Sequence, residues 1–276
     1  MPTTTQNVPV QSYTIESILE ERTAPMYQFR NAFRDYDATD NDEEEIKFPT
    51  PSDDFLRDTM ADIDELSQYP QMELEYGEAS ATWAKYGFAV TISDEAVRFS
   101  RIDAELDAQG QMMESNARKL DAQAYELLAE ENNDIEIGDG ETDFNYEVTV
   151  DAWVEMMDQE YNPDRMLWVV GPQAFGELAK DDRFTHATDR GDELIRNRVL
   201  EDMFGTPYVL SNTGDLTDDA FLVDTGTYGY EVEWEPTSVE VVDKRDIDGT
   251  MYKISGMWGY GVTDPQAAMY VPGGVA

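Results

Sequence analysis

The residue types that carry most enzyme chemistry are scarce in this sequence. His186 is the only histidine and there is no cysteine, so a Ser-His-Asp or Cys-His arrangement would depend on this one imidazole. The neighbours of His186, in the stretch Arg183–Thr188, form no nucleophile motif, and zinc sites built from several histidines or cysteines are excluded. We therefore expect His186 to be a structural or surface residue, and we expect no catalytic, cofactor-binding or metal-binding residues.

Two acidic stretches are distantly similar to calcium-binding loops, Asp37–Asp42 (DATDND) and Asp134–Gly140 (DIEIGDG). The first lacks the glycine that the turn of such a loop needs, and neither keeps the full ligand spacing. We therefore expect the acidic side chains of both stretches to be exposed to solvent without binding calcium. Glycine-rich motifs for binding phosphate are absent from the sequence. Basic residues such as Arg196 and Arg198 are scattered, which argues against sequence-specific binding of nucleic acid.

The net charge of the chain is extreme. It has 60 acidic and 19 basic residues and a net charge of −41, yet its apolar content of 41% is too high for a disordered acidic chain. Binding of many cations, mimicry of nucleic acid, or life in molar salt could each account for this charge. The acidic residues are spread along the whole sequence, and molar salt shortens the screening length to about 3 Å. This distribution favours a salt-adapted host, a halophilic archaeon or its virus.

Nothing in the sequence indicates secretion or a membrane partner. The N-terminal stretch has no basic region followed by an apolar run, so we expect no signal peptide. There is also no stretch of about 18 apolar residues, which is the length that a membrane-spanning helix needs.

The strongest structural signal is a long helix over 93–132. Ser93 can cap its N-terminus, acidic residues follow in the first turn, and no proline interrupts the segment. Gly110 is a weak point inside it. Apolar residues recur at the spacing of one helical face, at Val97, Ile102, Leu106, Met113, Ala117, Leu120, Ala124, Leu127 and Leu128. Because this seam is too irregular for strict heptads, a coiled coil is the less favoured interpretation.

The rest of the chain alternates between helices and strands and then ends in strands. We predict a strand over 82–92, helices over 150–160, 172–180 and 192–203, and strands over 166–170, 207–210, 220–224, 231–234, 238–244, 251–258 and 268–271. The alternation in the middle of the chain suggests an α/β unit. The dense acidic run over 35–45 should not fold alone.

Four stretches occur in an order that is typical of one protein family. They are KYGFAVTISDEAVRFSRID (Lys85–Asp103), LWVVGPQAFGEL (Leu167–Leu178), VLEDMFGTPYVLSN (Val199–Asn212) and GYGVTDPQAAMYV (Gly259–Val271). Each stretch alone is weakly specific. Together, in this order and over 82–271, they resemble the major capsid protein of tailed viruses, which has the Hong Kong 97-type fold. The acidity of the chain then suggests a haloarchaeal tailed virus.

The resemblance implies an α+β, Hong Kong 97-like capsid fold with a defined order of segments. Residues 1–45 would form an N-terminal arm, and 46–88 an extended loop that reaches over a neighbouring subunit. Residues 89–145 would form a peripheral domain with a long spine helix over 93–132. Residues 146–227 would form an axial domain, and 228–276 would return to the peripheral domain.

The same resemblance implies a structural protein and no enzyme. Copies of the chain would form the pentamers and hexamers of an icosahedral capsid, assembled in the host cytoplasm, that encloses double-stranded DNA in the virion without sequence-specific binding. Capsid decoration, portal and scaffolding proteins are further expected partners. No Lys–Asn pair for covalent cross-linking is recognisable, and Lys47 and Lys85 are the only lysines in the loop region. We therefore expect non-covalent assembly.

Three other functions remain open at this point. An encapsulin-like nanocompartment shell that holds cargo enzymes would resemble the same fold. An acidic hydrolase of a halophile, acting through a pair of carboxylates, is a less favoured reading. A metal-binding surface protein is the third, and the missing signal peptide argues against it.

Overall fold

The computed structural model describes residues 27–41, 43–51, 76–99, 104–133, 137, 144–180, 202–203, 206–211, 219–244 and 248–271. His186, the predicted helix over 192–201 and most of the acidic stretch 134–140 lie outside the described residues.

The described elements are helices and strands in nearly the order that the sequence predicts. The helices are α1 (Asp94–Phe99), α2 (Ala104–Glu130), α3 (Tyr146–Asp158) and α4 (Pro172–Lys180), with short 3-10 helices at Phe29–Ala32, Pro163–Arg165 and Pro265–Ala267. The strands are β1 (Arg34–Asp37), β2 (Glu45–Pro51), β3 (Tyr76–Thr82), β4 (Ala84–Ser93), β5 (Met166–Val170), β6 (Asp202–Met203), β7 (Thr206–Leu210), β8 (Ala220–Asp224), β9 (Gly229–Lys244), β10 (Gly249–Val262) and β11 (Ala268–Val271).

The first sheet has the strand order β1-β9-β10-β4. Its centre is the long antiparallel pair β9 and β10, with β4 antiparallel to β10 and β1 parallel to β9. Side chains alternate between the two faces of a strand, and Tyr252 and Ile254 of β10 form a buried cluster with Met112 of α2. On the same face, the indole Nε1 of Trp258 donates to Oε1 of Gln123 in α2 at 2.9 Å. Helix α2 therefore covers one face of this sheet.

The other face of the first sheet carries the antiparallel pair β2 and β3, which forms a hairpin stem. Ile46, Phe48 and Ala81 of the stem are buried in one cluster with Val232 and Trp234 of β9. The alternating pattern that would indicate these strands is obscured in the sequence, because β3 is built from small residues, YGEASAT. The acidic run before the stem also gains structure through β1, which pairs with β9 in a register from Arg34 to Asp37.

The second sheet has the strand order β11-β8-β5-β7-β6, and its neighbouring strands β5 and β8 are almost completely buried. Its central strand β5 is the apolar run MLWVV, as expected for a strand covered on both sides. Trp168 and Val170 pack in the cluster that contains α3 and α4. Val169 points the other way and packs in the cluster that contains Ala124 and Leu128 of α2. Of the segment 228–276, β9 and β10 lie in the first sheet, whereas β11 pairs with β8 in the second.

Helix α2 thus packs against both sheets along its length. Its N-terminal half buries Met112 against the first sheet, and its C-terminal half buries Ala124 and Leu128 against the second. The predicted continuous helix over 93–132 is described as α1 and α2, with 100–103 outside the described residues. The predicted cap is confirmed, because the Ser93 hydroxyl oxygen accepts from the backbone N–H of Ala96 at 3.2 Å.

Several predicted boundaries are wrong: the helix predicted over 150–160 is Tyr146–Asp158, and the strand predicted over 251–258 is Gly249–Val262. The strands predicted over 231–234 and 238–244 are one strand, β9, because a register shift opposite Ser255 and Met257 accommodates Pro236, which has no N–H for the ladder. The helix predicted over 192–203 does not extend to its predicted end, since Asp202–Met203 is a short strand that pairs with β7. Among the described residues, no helix combines the length and the apolar character that crossing a membrane requires.

Candidate functional site

The acidic stretch that was compared with a calcium loop is a local turn in the structure. The Asp37 carboxylate accepts from the backbone N–H of Thr39 at 2.9 Å and from its hydroxyl at 2.7 Å. These hydrogen bonds lower the pKa of Asp37. Within the described ranges, no three His, Cys, Asp or Glu side chains gather closely enough to hold a metal ion. The stretch therefore has an internal structural explanation.

The most connected polar group lies on the helix that joins the two sheets. The Asp121 side chain of α2 is fully buried. Its Oδ1 accepts from the backbone N–H groups of Phe29 at 2.6 Å and Arg30 at 3.3 Å, and its Oδ2 accepts from the hydroxyl of Ser211 at 2.6 Å. The Ser211 hydroxyl oxygen in turn accepts from the backbone N–H of Gln28 at 3.0 Å. One carboxylate therefore holds the 27–33 segment, α2 and the residue that follows β7.

Burial controls the protonation of this carboxylate. Removal of Asp121 from water raises its pKa to about 6, although the hydrogen bonds from Ser211, Arg30 and Phe29 act in the opposite direction. A buried carboxyl with this pKa changes charge near neutral pH, so the charge at the meeting point of the three segments depends on pH.

A second polar contact fixes the same N-terminal segment to the first sheet. The Arg30 guanidinium forms a two-pronged ion pair with Glu231 of β9, in which Nε donates to Oε2 at 2.9 Å and Nη2 donates to Oε1. Glu231 is 5% exposed. The Tyr260 hydroxyl lies 3.2 Å from both Glu231 Oε2 and the carbonyl oxygen of Leu120. Burial alone would lower the pKa of Arg30, but its hydrogen bonds with Glu231 raise it above the ordinary value.

A third contact connects α2 to the second sheet. Asp219, just before β8, accepts from the Tyr125 hydroxyl of α2 through Oδ2 and from the Tyr270 hydroxyl of β11 at 2.8 Å through Oδ1. Burial and then Asp219 itself raise the pKa of both tyrosines. At the end of α2, the Tyr228 hydroxyl donates to the carbonyl oxygen of Glu131 at 2.8 Å.

These three contacts, which we call the α2 junction (Asp121, Arg30–Glu231 and Asp219 with their partners), join elements of one chain. In each contact the donor and the acceptor belong to different helices, strands or segments. The contacts therefore fix the relative positions of these elements. Sequence reasoning missed the junction. One signal could have indicated Asp121, because it follows Leu120 and precedes Ala124 on the apolar face of the predicted helix, where an acid needs buried partners.

Four tryptophans are core residues of the described structure. Trp168, Trp234 and Trp258 are 1%, 8% and 3% exposed. Trp153 is partly buried against the cluster around α3 and α4. All four lie in the packing of the two sheets.

Comparison with known proteins identifies what this architecture is. The family model described as phage capsid protein matches residues 77–271, whereas no curated protein sequence matches the chain. A structure of Mycobacterium phage Che8 is 14% identical with a TM-score of 0.69 and covers 88% of this chain and 90% of its own. A capsid structure of the cyanophage P-SCSP1u is 15% identical with a TM-score of 0.68 and covers 88% of this chain and 87% of its own.

A third similar structure comes from an archaeon. The crystal structure of a virus-like particle from Pyrococcus furiosus is 8% identical with a TM-score of 0.62, and it covers 94% of this chain and 98% of its own. At these identities the likeness concerns the fold, and it confirms the expected α+β, Hong Kong 97-like capsid fold. Since the family model matches most of the sequence, this chain belongs to the phage capsid protein family.

Proposed function

We propose that copies of this major capsid protein assemble into the pentamers and hexamers of an icosahedral shell that encloses double-stranded viral DNA. The observation that carries the proposal is helix α2, which packs against both sheets and holds them, through the α2 junction, in one arrangement. A building block with a fixed internal geometry can repeat the same contacts around five-fold and six-fold axes with small adjustments at its periphery.

The structure supports an assignment of roles to the segments. The first sheet with α1 and α2 would be the peripheral domain, formed by 89–145 and the return segment 228–276, with β11 joining the second sheet. The second sheet, within 146–227, would be the axial domain. Residues 46–88 would be the extended loop and 1–45 the N-terminal arm, with two corrections: residues 84–88 belong to β4 and residues 34–37 form β1, and both strands lie in the first sheet. Phe29 of the arm is also fully buried in the body of its own chain.

Assembly without covalent cross-links fits the surroundings of the two lysines of the loop region. Lys47 forms an ion pair with Glu78 at 2.7 Å, and Lys85 lies 3.6 Å from Glu235. Both partners belong to the same chain, so each lysine has an intramolecular role on the surface.

The charge of the chain suits a container for DNA in brine. A chain with a net charge of −41 and few basic residues offers packaged DNA little cationic surface to bind, so the genome would be enclosed without being bound. The same charge favours a haloarchaeal tailed virus as the source. Membership of the capsid family favours assembly in the host cytoplasm, with decoration, portal and scaffolding proteins as further partners.

Two other functions are less favoured. An encapsulin-like nanocompartment shell would have a similar fold, but the chain belongs to the phage capsid protein family. A hydrolase is less favoured for the same reason, because the matching family is one of capsid proteins. We therefore propose a structural role without catalysis.

Size-exclusion chromatography with light scattering, on the chain purified in molar salt, tests this function. The proposal predicts megadalton particles, alone or after addition of scaffolding protein. A small oligomer under all these conditions would contradict a shell-forming role and would favour the enzyme. The contents of purified particles distinguish the two kinds of shell. Nuclease-protected DNA would support the capsid, and protein cargo would support the nanocompartment.

A further inference from the structure

Two glycines of β10 lie beneath the hairpin stem. Side-chain alternation places Gly259 and Gly261 on the face of the first sheet opposite to α2, because Trp258 and Tyr260 contact α2. The end of β3, residues 80–82, runs across these two glycines.

The approach leaves no room for a side chain at Gly259 and very little at Gly261. A Cβ atom at Gly259 would collide with the carbonyl oxygen of Thr82 and would lie 2.9 Å from its carbonyl carbon. At Gly261 it would lie 3.0 Å from the Cβ of Ala81 and 3.1 Å from the carbonyl oxygen of Ser80. Most of these atoms belong to the backbone, so a rotamer change in β3 cannot remove the clash. The stem rests directly on the backbone of β10.

Neighbouring contacts hold the stem on this surface. Ala81 is fully buried there, and the indole Nε1 of Trp234 donates to the carbonyl oxygen of Glu43 at 3.0 Å, just before β2. Beside it, the Phe48 ring stacks on Tyr230 with centroids 4.2 Å apart and an interplanar angle of 10°. The Arg34 guanidinium lies 4.1 Å from the centroid of the Tyr230 ring. These contacts fix both where β2 and β3 lie on the first sheet and how far they stand from it.

We propose that Gly259 and Gly261 form a seat for β3 that sets the direction of the hairpin stem formed by β2 and β3, and that this direction sets the angle between neighbouring copies in the shell. The inference rests on the proposed assembly function. It makes the two glycines positioning residues, which act through the hairpin without touching a neighbouring copy.

The effect of a small change at the seat grows along the stem. The seat contacts one end of β3, a strand of seven residues, which spans about 23 Å at about 3.3 Å per residue. A lift of about 1 Å across a seat of about three residues tilts the strand by several degrees and moves its far end by a few ångströms. Closure of a shell depends on the angles at which identical copies meet, so such a tilt changes the particle that forms.

The matched variants are Gly259→Ala, Gly261→Ala and the control Gly176→Ala, where an added Cβ meets nothing within 4 Å. The direction of the hairpin is measured by distances between spin labels at Glu78→Cys and Thr91→Cys, both exposed, in a chain that has no native cysteine. We expect Gly259→Ala to shift the mean of the distance distribution by about 1 to 2 Å, because Glu78 lies only about three residues from the seat, and we expect Gly176→Ala to leave the distribution in place. An unchanged distance in Gly259→Ala would show that the two glycines do not set the direction of the hairpin.

The shell is examined on the same variants by electron microscopy in molar salt. We expect Gly259→Ala to give particles of altered diameter or open assemblies, and Gly176→Ala to match the parent. Ala81→Gly in the Gly261→Ala background removes the nearest opposing atom and leaves the backbone contact with Ser80, so it should bring the particles back towards the parental diameter. Shifted labels with particles of parental diameter and yield would overturn the link between the seat and the shell.

Two further outcomes are separated by design. If Gly259→Ala does not fold, the milder Gly261→Ala and its Ala81→Gly rescue decide the proposal in the same way. If the parent forms no particle, the proposed function fails and the shell part of the inference fails with it, while the label distances still show whether the glycines set the direction of the hairpin.

Discussion

The Asp121 carboxylate accepts a hydrogen bond from the Ser211 hydroxyl at 2.6 Å, in a buried contact between α2 and the residue that follows β7. The same carboxylate accepts from the backbone N–H of Phe29 at 2.6 Å. Three segments that are distant in the sequence therefore meet at one acidic group. Asp121 is the one group of the α2 junction that contacts all three segments, so its protonation affects how they are held together.

The first prediction concerns pH. The pKa of Asp121 rises from 3.8 to about 6, mainly through burial. Between these pH values the folded chain holds a proton that the unfolded chain releases. The contribution of this group to stability is therefore complete below about pH 4 and is lost as pH rises through about 6. The shift corresponds to about 3 kcal/mol in the free energy of unfolding.

The test compares variants, because the many other carboxylates titrate as well. Asp121→Asn keeps a polar side chain without the charge and should remove this part of the pH dependence in urea unfolding at molar salt. Asp107→Asn, at an exposed position of the same helix, should keep it. Parallel pH profiles of the parent and Asp121→Asn between pH 4.5 and pH 7.5 would show that the prediction is wrong.

The second prediction concerns the ion pair of Arg30. Arg30→Ala leaves the Glu231 carboxylate, whose side chain is 6% exposed, without its cation. Since Arg30 itself is 37% exposed, water partly replaces it, and we expect a loss of about 2 kcal/mol in the free energy of unfolding. Lys253→Ala breaks a pair whose side chains are 44% and 62% exposed, and it should cost about 0.5 kcal/mol or less. Equal losses for the two variants would contradict the special role of the buried contact.

The third prediction concerns salt. A chain of net charge −41 repels its copies strongly when the screening length grows from about 3 Å in molar salt to tens of ångströms in dilute buffer. Light scattering during dialysis from molar salt to tens of millimolar salt should therefore show the particles dissociating. A neutral osmolyte at matched osmotic strength is the control. Particles that stay intact at low salt would remove the electrostatic part of the account.

The fourth prediction concerns covalent bonds between subunits. Lys47 and Lys85 have acidic partners within their own chain, and no cysteine exists to form a disulfide. Boiling assembled particles in detergent should therefore release a single species at 31.3 kDa. A ladder of covalent oligomers on the gel would refute non-covalent assembly.

Local patterns were sufficient for most elements. The cap at Ser93, the apolar run of β5 and the helix Pro172–Lys180 follow from residue type and spacing, and the structure has them at or near the predicted positions. The order of such elements also led to the family. These features depend on neighbours in the sequence, which a pattern can read.

Contacts between distant segments could not be predicted in this way. The acidic run 35–45 was expected not to fold alone, and its first residues are ordered by β9, which lies near the other end of the chain. The role of Gly259 and Gly261 is visible only once β3 crosses them. The continuity of β9 past Pro236 depends on the register shift against β10. In each case the local structure depends on a strand that is distant in the sequence and that only the fold brings into contact.

Electron microscopy of the purified chain in molar salt tests the central claim most directly. The account predicts closed shells with five-fold and six-fold clusters, in which the density of each subunit contains both sheets joined by α2. Monomers or small oligomers in every salt and scaffolding condition, or shells whose subunits do not contain this two-sheet body, would contradict it.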